Sequence, residues 1–452
     1  MADTGCLSVR EPSPSIFSHF SAPRKRFLLL SAATISLLTP VTDTIILPQL
    51  AALSTALPGS SVDGAAALVS AYMACVGLAT LVWGPLSDRF GRRAPLAASL
   101  LLYTASTTAC IFAPTMDALV GLRALQGCVT GSTIAITQGI VSDVFAPAER
   151  GYAMGIYFVP LLVGPIVAPV LGGAVSSALD WRAIFILLAA FSAPLLALLA
   201  CMPETQHCEV AAQRRRAQPS APALEEEAGG ALLSPPAWEP PWRPLSYLLD
   251  ARLAPYAALA ATTFGAMFSS LVSLPLLVLA QWPDYSPAVI GALFLPIGCS
   301  MMAASVAGGK ASDAAGARAP DAPSQRLWPS LAGAAFMVPG CLVFGWAFHA
   351  SSLPAALFGH CLIGIGQAAY GPGFFAFLGQ VKQQQAAGAS AGAMALSFVA
   401  AGVCISAGPP AIERLGVGGW FSLLSGLNIL ALAWAWWDLR ALRPKCPPPA
   451  LV

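Results

Sequence analysis

The chain is organised around Gly84-Pro85-Leu86-Ser87-Asp88-Arg89-Phe90-Gly91-Arg92-Arg93, a cluster of charged and turn residues between two long apolar runs. One aspartate and three arginines are too costly to place in hydrocarbon. Gly91 permits a backbone reversal that would strain a residue with a Cβ. The pattern therefore predicts a tight loop at a membrane surface, joining two neighbouring transmembrane helices.

A weaker copy of this stretch occurs later in the chain, at Gly309-Lys310-Ala311-Ser312-Asp313-Ala314-Ala315-Gly316-Ala317-Arg318. Both copies have the spacing Gly-x-x-x-Asp-x-x-Gly. A skeleton that returns in the second half of a chain indicates an internal duplication.

The composition predicts an integral membrane protein. Of the 452 residues, 57% are hydrophobic and 10% are charged, and the mean hydropathy is +0.71, which leaves too little polar surface for a soluble globule. A helix needs roughly 20 apolar residues to cross about 30 Å of hydrocarbon. Long unbroken runs favour helices over the alternating strands of a barrel. Twelve segments qualify: 27–50, 65–85, 94–113, 116–144, 151–175, 183–202, 253–280, 288–311, 327–348, 354–380, 389–412 and 420–439.

Basic residues indicate the orientation, because cytoplasmic loops of membrane proteins accumulate them. Of the 23 lysines and arginines, all but three fall on one side: Arg10, Arg24, Lys25, Arg26, Arg89, Arg92, Arg93, Arg150, Arg214, Arg215, Arg216, Arg243, Arg252, Lys310, Arg318, Arg326, Lys382, Arg440, Arg443 and Lys445. Arg182 and Arg414 fall on the other side, and Arg123 lies within a span. Both termini are therefore predicted to be cytoplasmic, and the plasma membrane is the expected location.

The spans divide into two halves of six helices. We predict a cytoplasmic tail at 1–26, an N-terminal half at 27–202, a cytoplasmic linker at 203–252, a C-terminal half at 253–439 and a second tail at 440–452. The linker is rich in proline and charge, which is typical of a solvated spacer. A short surface helix is predicted near residues 245–249.

Two charged residues are predicted inside the hydrocarbon, where each costs roughly 2.5 to 3.5 kcal/mol. Asp43 lies about 24 Å along the first helix, and Arg123 about 10 Å along the fourth helix from the other side. Both therefore lie at a similar depth in the outer half. We interpret them as a proton or cation site, with proton coupling as the predicted role, and the alternative is a fixed ion pair that holds the two helices together.

Several motifs resemble the major facilitator superfamily, and within it the twelve-helix drug:proton antiporters. The loop at 84–93 resembles the signature between helices 2 and 3 of that family. Thr42-Asp43-Thr44-Ile45-Ile46-Leu47-Pro48 resembles the helix 1 motif, and Leu122-Arg123-Ala124-Leu125-Gln126-Gly127 resembles the helix 4 motif whose arginine is implicated in proton transfer. The resemblance covers the N-terminal half and is weaker in the second. It implies an all-α membrane protein of twelve helices in two pseudo-symmetric six-helix halves.

In helix 5, residues 164–173 are similar to the motif regarded as marking antiporters, and its candidate residues are Gly164, Pro165, Pro169, Gly172 and Gly173. The small residues should let another helix approach closely, and the prolines should bend the helix. A second group is predicted to act as a conformational latch at the cytoplasmic face, because Asp143 at the end of helix 4 can reach Arg92. Its members are Gly84, Asp88, Gly91, Arg92 and Asp143.

Six aromatic and amide side chains are candidates for the substrate cavity, although such residues more often serve packing. They are Gln126, Phe264, Phe268, Gln367, Tyr370 and Phe374.

Neither a nucleotide-binding loop nor a catalytic triad is visible, and the histidines and eleven cysteines lack metal-ligand spacing. We therefore expect no enzymatic activity, cofactor, metal or nucleic-acid partner. The partners expected are a small organic substrate, protons and the lipid bilayer, with a functional monomer. The predicted function is export of a small organic compound in exchange for protons. The alternatives are a symporter or uniporter of a small nutrient, and a transporter-like receptor or scaffold.

Overall fold

A computed structural model gives the fold and describes residues 20–145, 147–206, 240, 242–248, 250, 253–318, 323–381 and 386–441. Across these ranges the regular structure is helical. The N-terminal half contains six long helices: α1 (Ala22–Ala56), α2 (Val62–Phe90), α3 (Arg93–Ile111), α4 (Met116–Val144), α5 (Pro147–Ala178) and α6 (Arg182–Cys201). A short linker helix, Arg243–Leu248, follows close to the predicted position. The basic triplet at 214–216 lies outside the described residues.

The C-terminal half contains α7 (Ala254–Gln281), α8 (Pro287–Arg318), α9 (Ser324–His349), α10 (Leu353–Val381) and a final helical stretch, Ala386–Ala441. That last stretch has 56 residues, and its helical geometry is broken at Gly416, where φ is 71° and ψ is 167°. An unbroken helix of this length would extend more than twice the thickness of the hydrocarbon. We therefore name the parts before and after Gly416 α11 and α12, which makes twelve crossings and confirms the predicted fold class.

The stretch that predicted a surface loop is mostly helical. α2 continues through Pro85 and Asp88 to Phe90, so the reversal is confined to Gly91 and Arg92. Gly91 has a φ of 85°, a left-handed conformation that favours glycine. The expectation of a ten-residue loop was wrong because charged residues can remain helical where the helix end extends beyond the hydrocarbon.

The first helix is not continuous, contrary to the prediction of one span at 27–50. It consists of Ala22–Ser36, Leu38–Thr44, a short 3₁₀ turn at Leu47–Gln49, and Leu50–Ala56. The two interruptions each lie three to four residues before a proline, Pro40 and Pro48. Proline lacks the amide hydrogen that the carbonyl four residues earlier requires, so the helix is broken there. Asp43 lies in the short segment between the breaks.

We call the end of the bundle where α1 begins and α2 ends the basic end, because Arg89, Arg92, Arg93 and Arg326 lie there. The other end is called the opposite end. Two helices that start at the opposite end, α2 and α4, carry hydroxyl caps: the Ser61 hydroxyl accepts from the Gly64 amide at 2.9 Å, and the Thr115 hydroxyl accepts from the Ala118 amide at 3.3 Å. Such caps satisfy amide groups that the first helical turn leaves unpaired.

The two halves meet along two seams. In the first, α2 packs against α11, where a Cβ on Gly77 would lie 2.8 Å from the carbonyl oxygen of Ala395. In the second, α5 packs against α8, and Gly173 faces the backbone carbonyl of Pro287. The Ala288 amide also donates to the Ser177 hydroxyl at 2.9 Å. Because α8 starts at the opposite end, the contact at Gly173 lies at that end of the molecule.

Candidate functional site

The centre of the N-terminal half is a buried polar cluster around Arg123, which is 0% exposed. Its Nη1 donates to Gln126 Oε1 at 2.6 Å, its Nη2 to the carbonyl oxygen of Thr42 at 3.3 Å, and its Nε to that of Leu68 at 3.3 Å. The guanidinium also lies 4.3 Å from the ring centroid of Tyr72, a cation–π contact. Arg123 therefore joins α4 to α1 and α2.

Asp43 borders this cluster and is 3% exposed. Its Oδ1 lacks a hydrogen-bond partner among the described residues, and so does the hydroxyl of Tyr72. Within the same residues, the ion pairs do not include a direct Asp43–Arg123 contact. The two residues therefore border one cluster without a direct ion-pair contact between them, and the role of Asp43 stays a prediction.

Burying a charged carboxylate whose oxygen lacks a hydrogen-bond donor costs free energy. Burying a charged arginine without a negative charge nearby also costs free energy. Protonation of Asp43 removes the first cost, and ionisation of Asp43 offsets the second. The arrangement can therefore hold or release a proton while the surrounding helices stay packed, which is the chemical capability that a coupling site requires.

Gln126 was predicted to line a substrate cavity, but its side chain is fully engaged in this cluster. It accepts from Arg123, and its Nε2 donates to the Thr107 hydroxyl at 2.7 Å. Gln126 is 0% exposed. Its side chain thus links Arg123 to Thr107 within the cluster.

At the basic end, Arg92 brings together the residues predicted as a latch. Its Nε donates to Asp143 Oδ2 at 2.8 Å, and its Nη1 donates to Ser87 Oγ at 2.7 Å and to Asp88 Oδ1. Burial disfavours the charged guanidinium, but Asp143 and Asp88 outweigh that effect and raise the pKa of Arg92 above its ordinary value. Gly84 lies in helical backbone with open space beside it.

Glu204, which follows α6, is a member of this cluster that the sequence analysis did not assign. Its Oε1 accepts from the Arg92 amide at 2.8 Å and its Oε2 from the Arg93 amide at 3.0 Å. A carboxylate at this position caps the start of α3 and favourably meets the helix dipole. A Cβ on Gly91 would lie 2.7 Å from Glu204 Oε2, so a side chain there would also displace this carboxylate. The sequence did contain a signal for this role, because Glu204 is an acidic residue directly after the last apolar run of the N-terminal half.

In the C-terminal half, the repeated motif makes a simpler contact. Asp313 Oδ1 accepts from Arg326 Nη1 at 2.7 Å, and a Cβ on Gly316 would lie 2.6 Å from Arg326 Nε. The arginine comes from the start of α9, whereas Arg92 directly follows its own loop. The duplication therefore preserves an Asp–Arg pair at the basic end of both halves.

We predict that Asp88→Asn slows transport at least about fivefold while expression and substrate binding stay near parental levels, as expected for a change of about 1 kcal/mol between conformations. Amide replaces a charged acceptor of Arg92 and keeps the shape of the side chain. The measurement is initial flux together with equilibrium binding. Asp313→Asn serves as the comparison in the other half. A parental flux in Asp88→Asn would mean that the motif is a topological turn without a role in the cycle.

The remaining predicted cavity residues form two aromatic pairs and one separate amide. Phe264 lies near the middle of α7 and contacts Phe268 and Phe398, with ring centroids 4.8 and 5.2 Å away. Tyr370 and Phe374 are stacked at 5.4 Å in a packed cluster, and the Tyr370 hydroxyl donates to the carbonyl of Tyr256 at 2.7 Å. Gln367 is half-buried, and its Oε1 lacks a hydrogen-bond partner within the described chain.

A cavity of about 430 Å³ lies near the opposite end, between the two halves. Its walls combine apolar side chains with a few hydroxyls and one carboxylate, a composition typical of sites for small organic molecules. Its lining includes Ser54 from α1, Ser269, Ser273 and Leu276 from α7, and Ile405 and Glu413 from α11. None of the six predicted cavity residues lines this cavity of the described structure. Phe264 and Phe268 lie on α7, the helix that contributes Ser269 to the cavity wall.

The helix 5 motif packs directly against the interrupted first helix. Gly164 faces Pro40, and Gly172 faces the carbonyl oxygen of Ile45, which lies just beyond the segment that carries Asp43. Only a residue without a Cβ allows α5 to approach this carbonyl. α5 itself remains helical through Pro165 and Pro169. The motif thereby supports the backbone on which Asp43 is held.

Twelve crossings in two halves within the described residues, with a buried charge cluster in one half, indicate a multi-pass membrane protein with a fold typical of transporters. A family model described as Major Facilitator Superfamily matches residues 29–409. This is well over half of the chain, and the chain therefore belongs to the Major Facilitator Superfamily.

The chain is similar to the MFS antiporter QDR3 of Candida albicans, with 37% identity over 182 residues that cover 40% of this chain and 26% of the relative. It is also similar to Citrate exporter 1 of Aspergillus niger, with 30% identity over 187 residues, or 41% of this chain and 36% of that protein. The aligned part thus spans about a quarter to a third of these curated relatives. Among solved structures, the xylose transporter XylE from E. coli, in a partially occluded inward open conformation, matches with a TM-score of 0.68 and 16% identity, covering 92% of this chain and 98% of XylE.

Proposed function

We propose that this transporter exports a small organic compound in exchange for protons, by alternating access between the two halves. The observation that carries the proposal is Asp43, a carboxylate that is 3% exposed, has an oxygen without a donor, and borders Arg123. Desolvation favours the neutral carboxylic acid and the arginine favours the carboxylate, so small movements of α1 can change the preferred state. A change of protonation linked to helix movement is the requirement for coupling.

The names of two relatives support the direction of transport. One is called an antiporter and another a citrate exporter, and they align with 40% and 41% of this chain. We extend their direction to this protein as part of the proposal, with Asp43 and Arg123 as the proton site. The chemical class of the substrate is left open as a small organic compound. The protein is proposed to act as a monomer in the plasma membrane.

Two rival functions predict different fluxes. A symporter moves substrate and proton in the same direction, and a uniporter ignores the proton gradient. A receptor or scaffold with the transporter fold produces no flux at all. The same buried Asp43 is compatible with a symporter, so the direction of coupling has to be measured.

The test uses purified protein in proteoliposomes with an acidic interior and a panel of organic acids and organic cations. An antiporter lets protons leave the acidic interior and concentrates its substrate there. A symporter instead depletes the interior of substrate. We expect concentration inside the acidic vesicles, which collapses when an ionophore removes the pH gradient. Depletion, simple equilibration, or the absence of flux across the panel would each contradict the proposal.

Orientation is a separate prediction. We expect the basic end to face the cytoplasm, because basic side chains accumulate there. A cysteine introduced at Arg215, in a variant without the native cysteines, should resist an impermeant maleimide in intact cells and react after permeabilisation. A cysteine at Asp284, in the turn between α7 and α8, should react in intact cells. The reverse labelling pattern would invert the topology.

A further inference from the structure

Beneath Asp43, buried hydroxyl groups line the contact between α1, α4 and α5. On α4, Gln126 is followed on the same face by Thr130, Thr133 and Thr137, at spacings of four, three and four residues. On α1, Thr39 lies one turn before Asp43 and faces this row. We call Thr39, Thr130, Thr133, Thr137 and Tyr157 of α5 the hydroxyl ladder, and each member is at most 1% exposed.

Two contacts in the hydroxyl ladder join different helices through pairs of hydroxyl groups. Thr39 Oγ1 lies 2.7 Å from Thr133 Oγ1, and Thr137 Oγ1 lies 2.9 Å from the Tyr157 hydroxyl. In both pairs either oxygen can be the donor. A hydroxyl pair can thus reverse its direction after a proton has passed, which a bond to a carbonyl oxygen does not allow.

Carbonyl groups hold these hydroxyls in place. Thr133 Oγ1 can donate to the Thr130 carbonyl at 2.9 Å, Thr39 Oγ1 to the same carbonyl at 3.2 Å, and Tyr157 to that of Ile134 at 3.3 Å. Such bonds are common for threonine in membrane helices and by themselves serve packing. The inter-helix pairs and their position below an unpartnered carboxylate oxygen set the hydroxyl ladder apart.

From this arrangement we infer that the hydroxyl ladder conducts the coupling proton between Asp43 and the basic end, inside the N-terminal half. The inference rests on the proposed function. From Gln126 to Thr137 the path runs about 16 Å along α4. Successive members on α4 lie one turn apart, roughly 5 to 6 Å between Cβ atoms, a gap that one water molecule can bridge.

Each step conserves protons. A hydroxyl oxygen accepts a proton on a lone pair and releases its own proton to the next acceptor, so one proton enters at one end and one leaves at the other. The charged and titratable groups facing this region are Asp43, Arg123, Tyr72 of α2, Tyr103 and Cys110 of α3, and Tyr157. Asp43 is the carboxylic acid among them, so it is the group that stores the proton.

The hydroxyl ladder gives the proton a route that the substrate does not use. The cavity near the opposite end lies between the two halves and is lined by α1, α2, α7 and α11. The hydroxyl ladder lies within one half, between α1, α4 and α5. Substrate and proton can therefore occupy the protein without competing for the same side chains. The two sites share only one neighbouring helix, α1.

The test replaces Thr133 by Val, which keeps the branched shape and removes the hydroxyl, and by Ser, which keeps the hydroxyl. Ser132→Ala is the matched control, because Ser132 is the next residue, is equally buried, and bonds Ser99 of α3 at 2.6 Å instead of the hydroxyl ladder. Substrate flux driven by a pH gradient and substrate counterflow without a gradient are measured in proteoliposomes, with internal pH followed by a dye.

We expect Thr133→Val to reduce both gradient-driven flux and proton movement at least about tenfold, as for loss of a positioned proton-transfer group, with counterflow within about twofold of the parent. Thr133→Ser should restore the coupled flux, and Ser132→Ala should leave it unchanged. Equal losses in driven flux and counterflow would assign the hydroxyl to packing and overturn the inference, as would parental flux in Thr133→Val. A parent without gradient-driven flux would instead overturn the proposed function.

Discussion

Replacing Asp43 by Asn should abolish accumulation of substrate against its gradient. The amide has nearly the same shape and remains hydrogen-bonding, but it is fixed in the neutral state and cannot carry a proton. A gradient of one pH unit supports about tenfold accumulation when one proton is exchanged for each neutral substrate molecule. The variant should lose this accumulation entirely, while exchange of substrate down its own gradient continues. Flux into vesicles with and without a pH gradient measures both quantities.

Arg123→Lys provides a graded comparison at the same site. Lysine keeps the positive charge but loses the planar group that reaches Gln126, the Thr42 carbonyl and the Leu68 carbonyl together. We expect slower transport with a shifted pH optimum and partial coupling. If Asp43→Asn still concentrated substrate in response to pH, the carboxylate would be structural and the proton would follow another route.

Gly173→Val should hold the opposite end of the molecule open. A side chain at Gly173 would overlap the backbone carbonyl of Pro287 in the seam between α5 and α8. Overpacking of this kind costs about 1 to 3 kcal/mol, and here that cost applies to the state in which the seam is closed. The equilibrium between conformations should shift roughly 5- to 150-fold towards the open state, with a matching decline in turnover.

The measurement is turnover together with the labelling rate of a cysteine placed at Ser273, which lines the cavity near the opposite end. Labelling by an impermeant reagent should become faster as turnover falls. Gly155→Val is the control, because Gly155 lies on the same helix, is exposed, and has no neighbouring atom within 4 Å of an added Cβ. Unchanged labelling and turnover in Gly173→Val would exclude the seam from the transport cycle.

The fold could be predicted from the sequence because each crossing is set by the thickness of the bilayer, and the repeated Asp–Gly spacing revealed the two halves. Local breaks were harder to predict. Pro40 and Pro48 were visible signals, but the apolar residues around them suggested one continuous span. A proline interrupts a helix only where the neighbouring helices leave room for the displaced backbone. Here Gly172 of α5 leaves that room, because it packs against the carbonyl oxygen of Ile45.

Depth along a helix was enough to bring Asp43 and Arg123 together, because a rise per residue converts numbering into height. The sequence did not show in the same way which side of a helix faces the cavity and which side faces a neighbouring helix. Tyr370 was a plausible cavity residue by type, but it faces Tyr256 and a packed cluster. Ser273 was not among the predicted cavity residues, because an isolated serine carries no pattern, but it lines the observed cavity. Such assignments require knowledge of which helix lies against which.

The Arg92 cluster has a mechanical consequence for the N-terminal half. Arg92 joins the end of α2 to the end of α4 through Asp88 and Asp143, while Glu204 ties the start of α3 to the segment after α6. Four helices, α2, α3, α4 and α6, are thus joined at one end and should move as one rigid unit. α1 and α5 meet there through Lys25 and Glu149, a 3.4 Å pair whose carboxylate is 60% exposed and so contributes little. At the basic end these two helices, which carry Asp43 and the α8 seam, are therefore held less firmly than the other four, and their buried contacts with α4 lie deeper, at Thr39–Thr133 and Thr137–Tyr157.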